Sequence, residues 1–173
     1  MAAQKSGKAP KKSGTDWRWI ITIFVITVCI SAVMSLISTN LLANATLGVS
    51  FVILISIIAI GIVFDIIGVA VTAADEKPFH SMASRKVPEA GEALKLIRNA
   101  GRVSSFCNDV IGDICGVISG SASATIAVRV WSMHPGMQKL AVTLSMSALA
   151  AGLTVGGKAC GKSFAIGSST TVV

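Results

Sequence analysis

The sequence predicts an all-α integral membrane protein, and two observations lead to this fold class. The chain of 173 residues is 53% hydrophobic and only 13% charged, whereas soluble domains average about 25% charged residues. Its charged residues cluster in short stretches between long apolar runs. We therefore expect three core transmembrane helices, an additional N-terminal transmembrane helix or signal peptide, and a cytoplasmic juxtamembrane helical segment.

The N-terminal part of the chain divides into a polar tail and an apolar run. Residues 1–16 contain lysines among Gly, Ser and Pro, which predicts a disordered basic cytoplasmic tail. Residues 17–42 are apolar and long enough to cross a bilayer, which takes about 20 residues; Trp17 and Trp19 are typical of an interfacial anchor. The basic start and the small residues 43–45 also resemble a signal peptide. We expect a retained helix or signal anchor, because the apolar region of a signal peptide is usually only about 7–15 residues long.

A membrane domain is predicted over residues 49–166. Its polar segment 75–102 contains a stretch, 89–100, in which apolar residues recur at helical spacing, as in an amphipathic helix lying along the membrane. Residues 167–173 are expected to fray as a C-terminal tail. The apolar runs of the domain are 49–74, 103–130 and 140–155, the last of which continues weakly to residue 166.

The distribution of basic residues predicts the orientation. With the N-terminal tail inside, 13 of the 15 Lys and Arg lie on the cytoplasmic side, and only Arg129 and Lys139 lie outside. This asymmetry follows the positive-inside rule. We expect a multi-pass protein of the cell membrane, surrounded by lipid, with both termini cytoplasmic if the first helix is retained.

Three carboxylates fall inside the predicted spans: Asp65, Asp109 and Asp113. Each costs about 2.5–3.5 kcal/mol at a helix centre on insertion scales. Asp109 and Asp113 are four residues apart and share one helix face with several small residues. Small residues let another helix approach closely, so we expect this face to point at another helix, with Asp65 as its counterpart.

These acids predict a metal site, because we find no Lys or Arg in the middle of the spans to pair them. Carboxylate, hydroxyl and carbonyl oxygens suit hard cations such as magnesium. Asp65, Asp109 and Asp113 would supply charge, Gly112 carbonyl access or close packing, and Ser119 a hydroxyl. The alternative is that some of the aspartates are protonated or lie near the membrane surface.

Other function classes lack the motifs they would need. The net charge of +7 would suit nucleic acid, but there is no zinc-finger spacing and no tyrosine for an aromatic basic sheet motif. Residues 156–163 match GxxxxGK[ST], yet an apolar span precedes them and no acid follows. We interpret them as a glycine-rich helix end with snorkelling lysines. Without a catalytic constellation we expect neither an enzyme nor a bound cofactor.

The order of parts resembles the transmembrane domain of the CorC/CorB and cyclin M family of magnesium transporters. Residues 64–74 are similar to the family's FSGSETALTAA segment, residues 110–117 to its LLGNxLVN segment, and residues 155–163 to its FGEILPKS segment. The resemblance implies that 49–166 is a transporter-like domain that forms a homodimer. The family's cytoplasmic regulatory domains are expected to be absent.

Position by position, the resemblance implies a role in holding magnesium for Asp65, Gly112 and Asp113. They stand where the family has a serine, a glycine and an asparagine. The glutamate of the family's third segment falls at Lys158. We therefore expect transport or binding of a divalent cation, magnesium or cobalt, with magnesium as the transported ion. The alternative is a non-transporting membrane adaptor or subunit that assembles with a larger partner.

Overall fold

The all-α fold is confirmed by a computed structural model that describes residues 17–134 and 136–173; the predicted basic tail, 1–16, lies outside them. Within the described residues every regular element is a helix. The helices are α1 (Trp17–Asn44), α2 (Leu47–Ala73), α3 (Glu76–Ser84), α4 (Ala90–Arg98), α5 (Ala100–Met133), α6 (Lys139–Gly167) and α7 (Ser169–Val172).

Helices α1, α2, α5 and α6 are each long and apolar enough to cross a membrane. An uninterrupted helix is the form expected for such runs, because hydrocarbon offers no partner to a peptide N–H or C=O outside the helix. At 1.5 Å per residue, even α2 is about 40 Å long, more than the hydrocarbon core of a bilayer. The predicted fourth span fades after residue 155, whereas α6 continues without a break to Gly167.

Helix α5 is the most buried of the four and packs against α2 at two close contacts. A Cβ added to Gly61 would lie 2.9 Å from Cys115 Cβ, and one added to Gly68 would lie 2.1 Å from Asn108 Oδ1. The earlier residue of α2 thus meets the later residue of α5, so the helices are antiparallel. Only glycine at these positions lets the two backbones come so close.

Helix α6 packs against another side of α2 in a parallel direction. A Cβ on Gly157 would lie 2.2 Å from Ile62 Cδ1, and one on Gly161 would lie 2.7 Å from Ile66 Cγ1. These two glycines are four residues apart and form a G-x-x-x-G surface that receives two isoleucines. The segment that matches a nucleotide-binding pattern is therefore a helix-packing surface inside α6.

One end of the bundle, here called the basic end, carries α3 and α4. The predicted short helix is present as α4, and it packs on α3 through the buried side chains of Phe79, Ala93 and Leu94. The Arg102 guanidinium lies 5.0 Å from the ring of Trp19, which places the start of α1 at this same end. The expectation of a frayed C-terminal tail is wrong: residues 169–172 form α7, and Val173 packs against the α3–α4 cluster.

At the opposite end of the bundle, Arg129 of α5 forms hydrogen bonds with the end of α1. Its guanidinium donates hydrogen bonds to the carbonyls of Leu42, Ala43 and Ala45, the last at 2.9 Å. The last carbonyls of a helix have no partner within it, and a cation is favourable beside them. One of the two basic residues assigned to this end by the sequence therefore has a structural role.

Candidate functional site

The candidate site lies where α2, α5 and α6 meet, and its central contact is an ion pair. Lys158 Nζ of α6 lies 3.5 Å from Asp65 Oδ1 of α2, and the two side chains are 27% and 16% exposed. Asp65 is about two turns from the end of α2, or roughly 12 Å along the helix axis. The pair is therefore inside the segment that would be surrounded by lipid.

Gly112 of α5 completes this contact. In the antiparallel packing of α2 and α5, the Gly61–Cys115 and Gly68–Asn108 contacts lie on either side of Asp65, so Gly112 falls at its level. A Cβ added to Gly112 would lie 3.3 Å from Lys158 Nζ. The missing side chain thus leaves the space that the ammonium group uses.

The ion pair corrects two expectations from the sequence. First, the spans do contain a basic residue, Lys158, that pairs with an acid. Second, the side chain of Lys158 does not reach the end of its helix, as a snorkelling lysine would. The helix continues past Lys158 for more than two turns, to Gly167, so the ammonium is held among neighbouring helices. The apolar and small residues after Lys158 were the signal for this continuation.

Asp109 and Asp113 do not join Asp65. Both are exposed on the outer side of α5, while the apolar face of the same helix, with Val110, Ile114 and Ile118, is buried against the other spans. The expectation that this acidic face meets Asp65 within one chain is therefore wrong. The face that packs instead carries Val110, Ile114 and Ile118, which cluster with Ile57 of α2, because van der Waals packing of side chains drives helix association in lipid.

Ser119 is also separate from the ion pair. It is buried, and its hydroxyl donates to the carbonyl of Gly116 at 2.9 Å, within its own helix. It lines a groove of about 250 Å³ between α5 and α6 together with Ser123 and Thr154. The hydroxyl oxygens keep lone pairs free to accept a hydrogen bond or to touch a cation.

Asn108 is a polar residue of the site that sequence reasoning missed. Its Nδ2 donates to Ser104 Oγ at 3.2 Å, while its Oδ1 is buried and has no hydrogen-bond partner among the described residues. This oxygen lies over Gly68, one turn from Asp65. A buried acceptor without a donor is costly, so it is a position at which a cation or water would be stabilised.

Asn108 and Gly112 both belong to a π-helical stretch of α5, Ser105–Gly112. A π-helical turn is wider than an α-helical one and occurs often at functional sites. Here it begins just after the basic end of α5 and ends at the glycine beside Lys158. The local widening therefore coincides with the part of α5 that faces Asp65.

No family model, curated protein or solved structure matches this chain. Nor do the described residues contain a cluster of three or more His, Cys, Asp or Glu side chains that could hold a metal. A cation at this site would therefore need amide and backbone oxygens as well as the one carboxylate.

The electrostatics of the ion pair bear on its role. At 3.5 Å, the Coulomb attraction is about 5 kcal/mol for an effective dielectric constant near 20. Moving each ion out of water costs several kcal/mol, so replacing such a pair by apolar side chains is often neutral for stability. The pair is thus not required for folding energy alone. Chemically, the junction of three helices holds the negative charge of Asp65, the movable positive charge of Lys158, the neutral amide oxygen of Asn108 and the open space at Gly112.

Proposed function

We propose that this protein binds a divalent cation, magnesium or cobalt, at Asp65 and carries it across the cell membrane. The observation that supports this most is the meeting of Asp65 and Gly112 inside the bundle. They lie on different spans, and a positively charged group already lies beside both of them. The carboxylate that attracts this ammonium group is also a ligand that magnesium takes in proteins.

The oxygen donors near Asp65 fit a hard cation. Asn108 Oδ1 is unpaired among the described residues and lies one turn along α2. Magnesium usually keeps several waters and takes one or two carboxylates in proteins. One carboxylate, one amide oxygen and water would therefore form a weak site, and weak binding suits an ion that must leave again.

A homodimer is part of the proposal. Asp109 and Asp113 are exposed on α5, and Gly116 and Gly120 follow on the same side with nothing within 4 Å of an added Cβ. A second copy could pack closely on such a face. In a two-fold dimer the same face meets itself, so the carboxylates of both copies would come together and a shared cation would relieve their repulsion.

We propose that the basic end lies in the cytoplasm, because it carries Arg102, α3 and α4 and most of the basic residues. The two termini would then both be cytoplasmic. The resemblance to the CorC/CorB and cyclin M family remains part of this proposal, with Lys158 as the departure that changes the charge of the site.

The proposed function is tested by cation flux into liposomes that contain the purified protein. Asp65→Asn removes the intramembrane charge with little change in shape, and we expect it to abolish magnesium uptake. Glu92→Gln is the matched control, since Glu92 is an exposed residue of α4 paired with Lys95, and it should transport like the wild type. Equal uptake by the wild type and Asp65→Asn would refute the assignment.

The second candidate is a non-transporting subunit that assembles with a larger membrane partner. The specific observation in its favour is that Lys158 already neutralises Asp65. In that case neither variant would change flux, because the isolated protein would have none. Co-purification of a stoichiometric membrane partner, lost in Asp113→Asn, would support this function instead.

A further inference from the structure

We propose that Lys158 determines the ion selectivity of the Asp65 site, acting as a tethered cation that a divalent ion displaces and a monovalent ion does not. This inference depends on the proposed function, because it concerns the affinity of that same site. It rests on the position of the ammonium group, on the charges around it and on an acceptor that the ammonium leaves unpaired.

The ammonium group occupies the position that an incoming ion would take. Lys158 Nζ is 3.5 Å from the carboxylate of Asp65 and close to the open side of Gly112. An ion that binds Asp65 closely enough to shed water must therefore move this group first. Lys158 is 27% exposed, and its long flexible stem allows the charge to swing toward the membrane surface.

The surrounding charges make the exchange depend on valence. The groups that face Lys158 are Asp65 from α2 and the uncharged Gly112 and Cys115 from α5, while Lys162 lies one turn further along α6. Among residues 17–134 and 136–173, Asp65 is thus the one carboxylate within ion-pair distance of Lys158. Coulomb attraction scales with charge, so Na⁺ or K⁺ offers Asp65 no more attraction than the ammonium it would replace. A divalent ion doubles the attraction, and because magnesium keeps most of its water in proteins, it does so without the full cost of dehydration.

Asn108 adds to this preference. Its Oδ1 is buried, and it has no partner among the described residues although the ammonium of Lys158 lies in the same junction. Because this oxygen lies over Gly68, one turn of α2 from Asp65, the water that magnesium keeps in proteins would supply a hydrogen-bond donor on its side of the site. The ammonium group therefore occupies the site but leaves Asn108 Oδ1 without a hydrogen-bond donor. An ion that also serves this oxygen binds the site more favourably than the ammonium group does.

The test measures the melting temperature of the full-length protein in detergent against MgCl₂ and NaCl concentration, at constant ionic strength. Lys158→Gln should bind magnesium at least tenfold more tightly than the wild type and should also be stabilised by Na⁺. Lys162→Gln loses the same charge from an exposed position on the same helix and should behave like the wild type. In Lys158→Gln combined with Asp65→Asn, both responses should disappear.

The outcomes separate this inference from the proposed function. Suppose that magnesium raises the melting temperature of the wild type through Asp65, that Lys158→Gln needs the same magnesium concentration for half of this rise, and that Na⁺ does not stabilise Lys158→Gln. The role of Lys158 is then refuted and the cation site stands. If magnesium stabilises none of the proteins, both are refuted. Should Lys158→Gln fail to fold, Lys158→Arg serves instead: a guanidinium holds a carboxylate through two hydrogen bonds, so the magnesium midpoint should rise, and an unchanged midpoint overturns the inference.

Discussion

Packing of α6 against α2 depends on Gly161, and replacing this residue by alanine gives a quantitative prediction. The added Cβ would lie 2.7 Å from Ile66 Cγ1 and 3.0 Å from Ile66 Cδ1, so the two helices or the isoleucine must shift. Overpacking of this kind costs about 1–3 kcal/mol. Alanine also favours the helix by up to about 1 kcal/mol over glycine, so the net loss is about 0–2 kcal/mol relative to the wild type and about 1–3 kcal/mol relative to an alanine at an unhindered glycine of the same helix.

The assay is thermal unfolding in detergent, in which a loss of 1 kcal/mol lowers the melting temperature by about 2–4 °C for a chain of this size. Gly156→Ala is the matched control, because a Cβ at Gly156 would have nothing within 4 Å. It should be as stable as the wild type or slightly more so. If Gly161→Ala has the same melting temperature as Gly156→Ala, the parallel packing of α6 on α2 is refuted.

Three further predictions concern other contacts. Gly68→Ala should melt several degrees below Gly156→Ala, since its Cβ would fall 2.1 Å from Asn108 Oδ1 and overpacking costs about 1–3 kcal/mol; equal melting temperatures for these two variants would contradict the α2–α5 register. Arg129→Gln should cost about 1–3 kcal/mol, because three carbonyls at the end of α1, two of them in part-buried hydrogen bonds, lose a charged donor, while exposed Lys139→Gln should change thermal stability little. Asp113→Asn should allow dimers to form without magnesium in analytical ultracentrifugation, and dimers that are equally magnesium-dependent in both proteins would count against the proposed interface.

Much of the fold was predictable because each membrane span is a local property of the sequence. A long run without charges must form a helix in hydrocarbon whatever surrounds it, and the apolar runs near residues 17–42 and 49–74 correspond closely to α1 and α2. The face of α4 was predictable for a similar reason, since its apolar residues recur at helical spacing. The C-terminal helix α7 was missed because what holds it is a distant contact, Val173 against the α3–α4 cluster.

The arrangement of the site was less predictable, because it depends on which helices touch and in what register. Hydropathy assigned Lys158 to a helix end, but α6 continues beyond it and its glycines set the depth at which the lysine meets Asp65. The acidic face of Asp109 and Asp113 was correctly grouped, yet its direction depended on competition with the apolar face of the same helix. The packing of the whole bundle determines which face of a helix is buried and which residues meet, so the sequence of a single span indicates little about either.

The pairing of Asp65 with Lys158 is tested most directly by exchanging their charges. Asp65→Lys and Lys158→Asp should each lower the melting temperature sharply, because two like charges would then face one another inside the bundle. The double exchange should recover most of the stability that either change removes, since the opposite charges again lie within reach. A double variant as unstable as the sum of the two single variants would mean that these side chains do not meet, and the intramembrane site would have no basis.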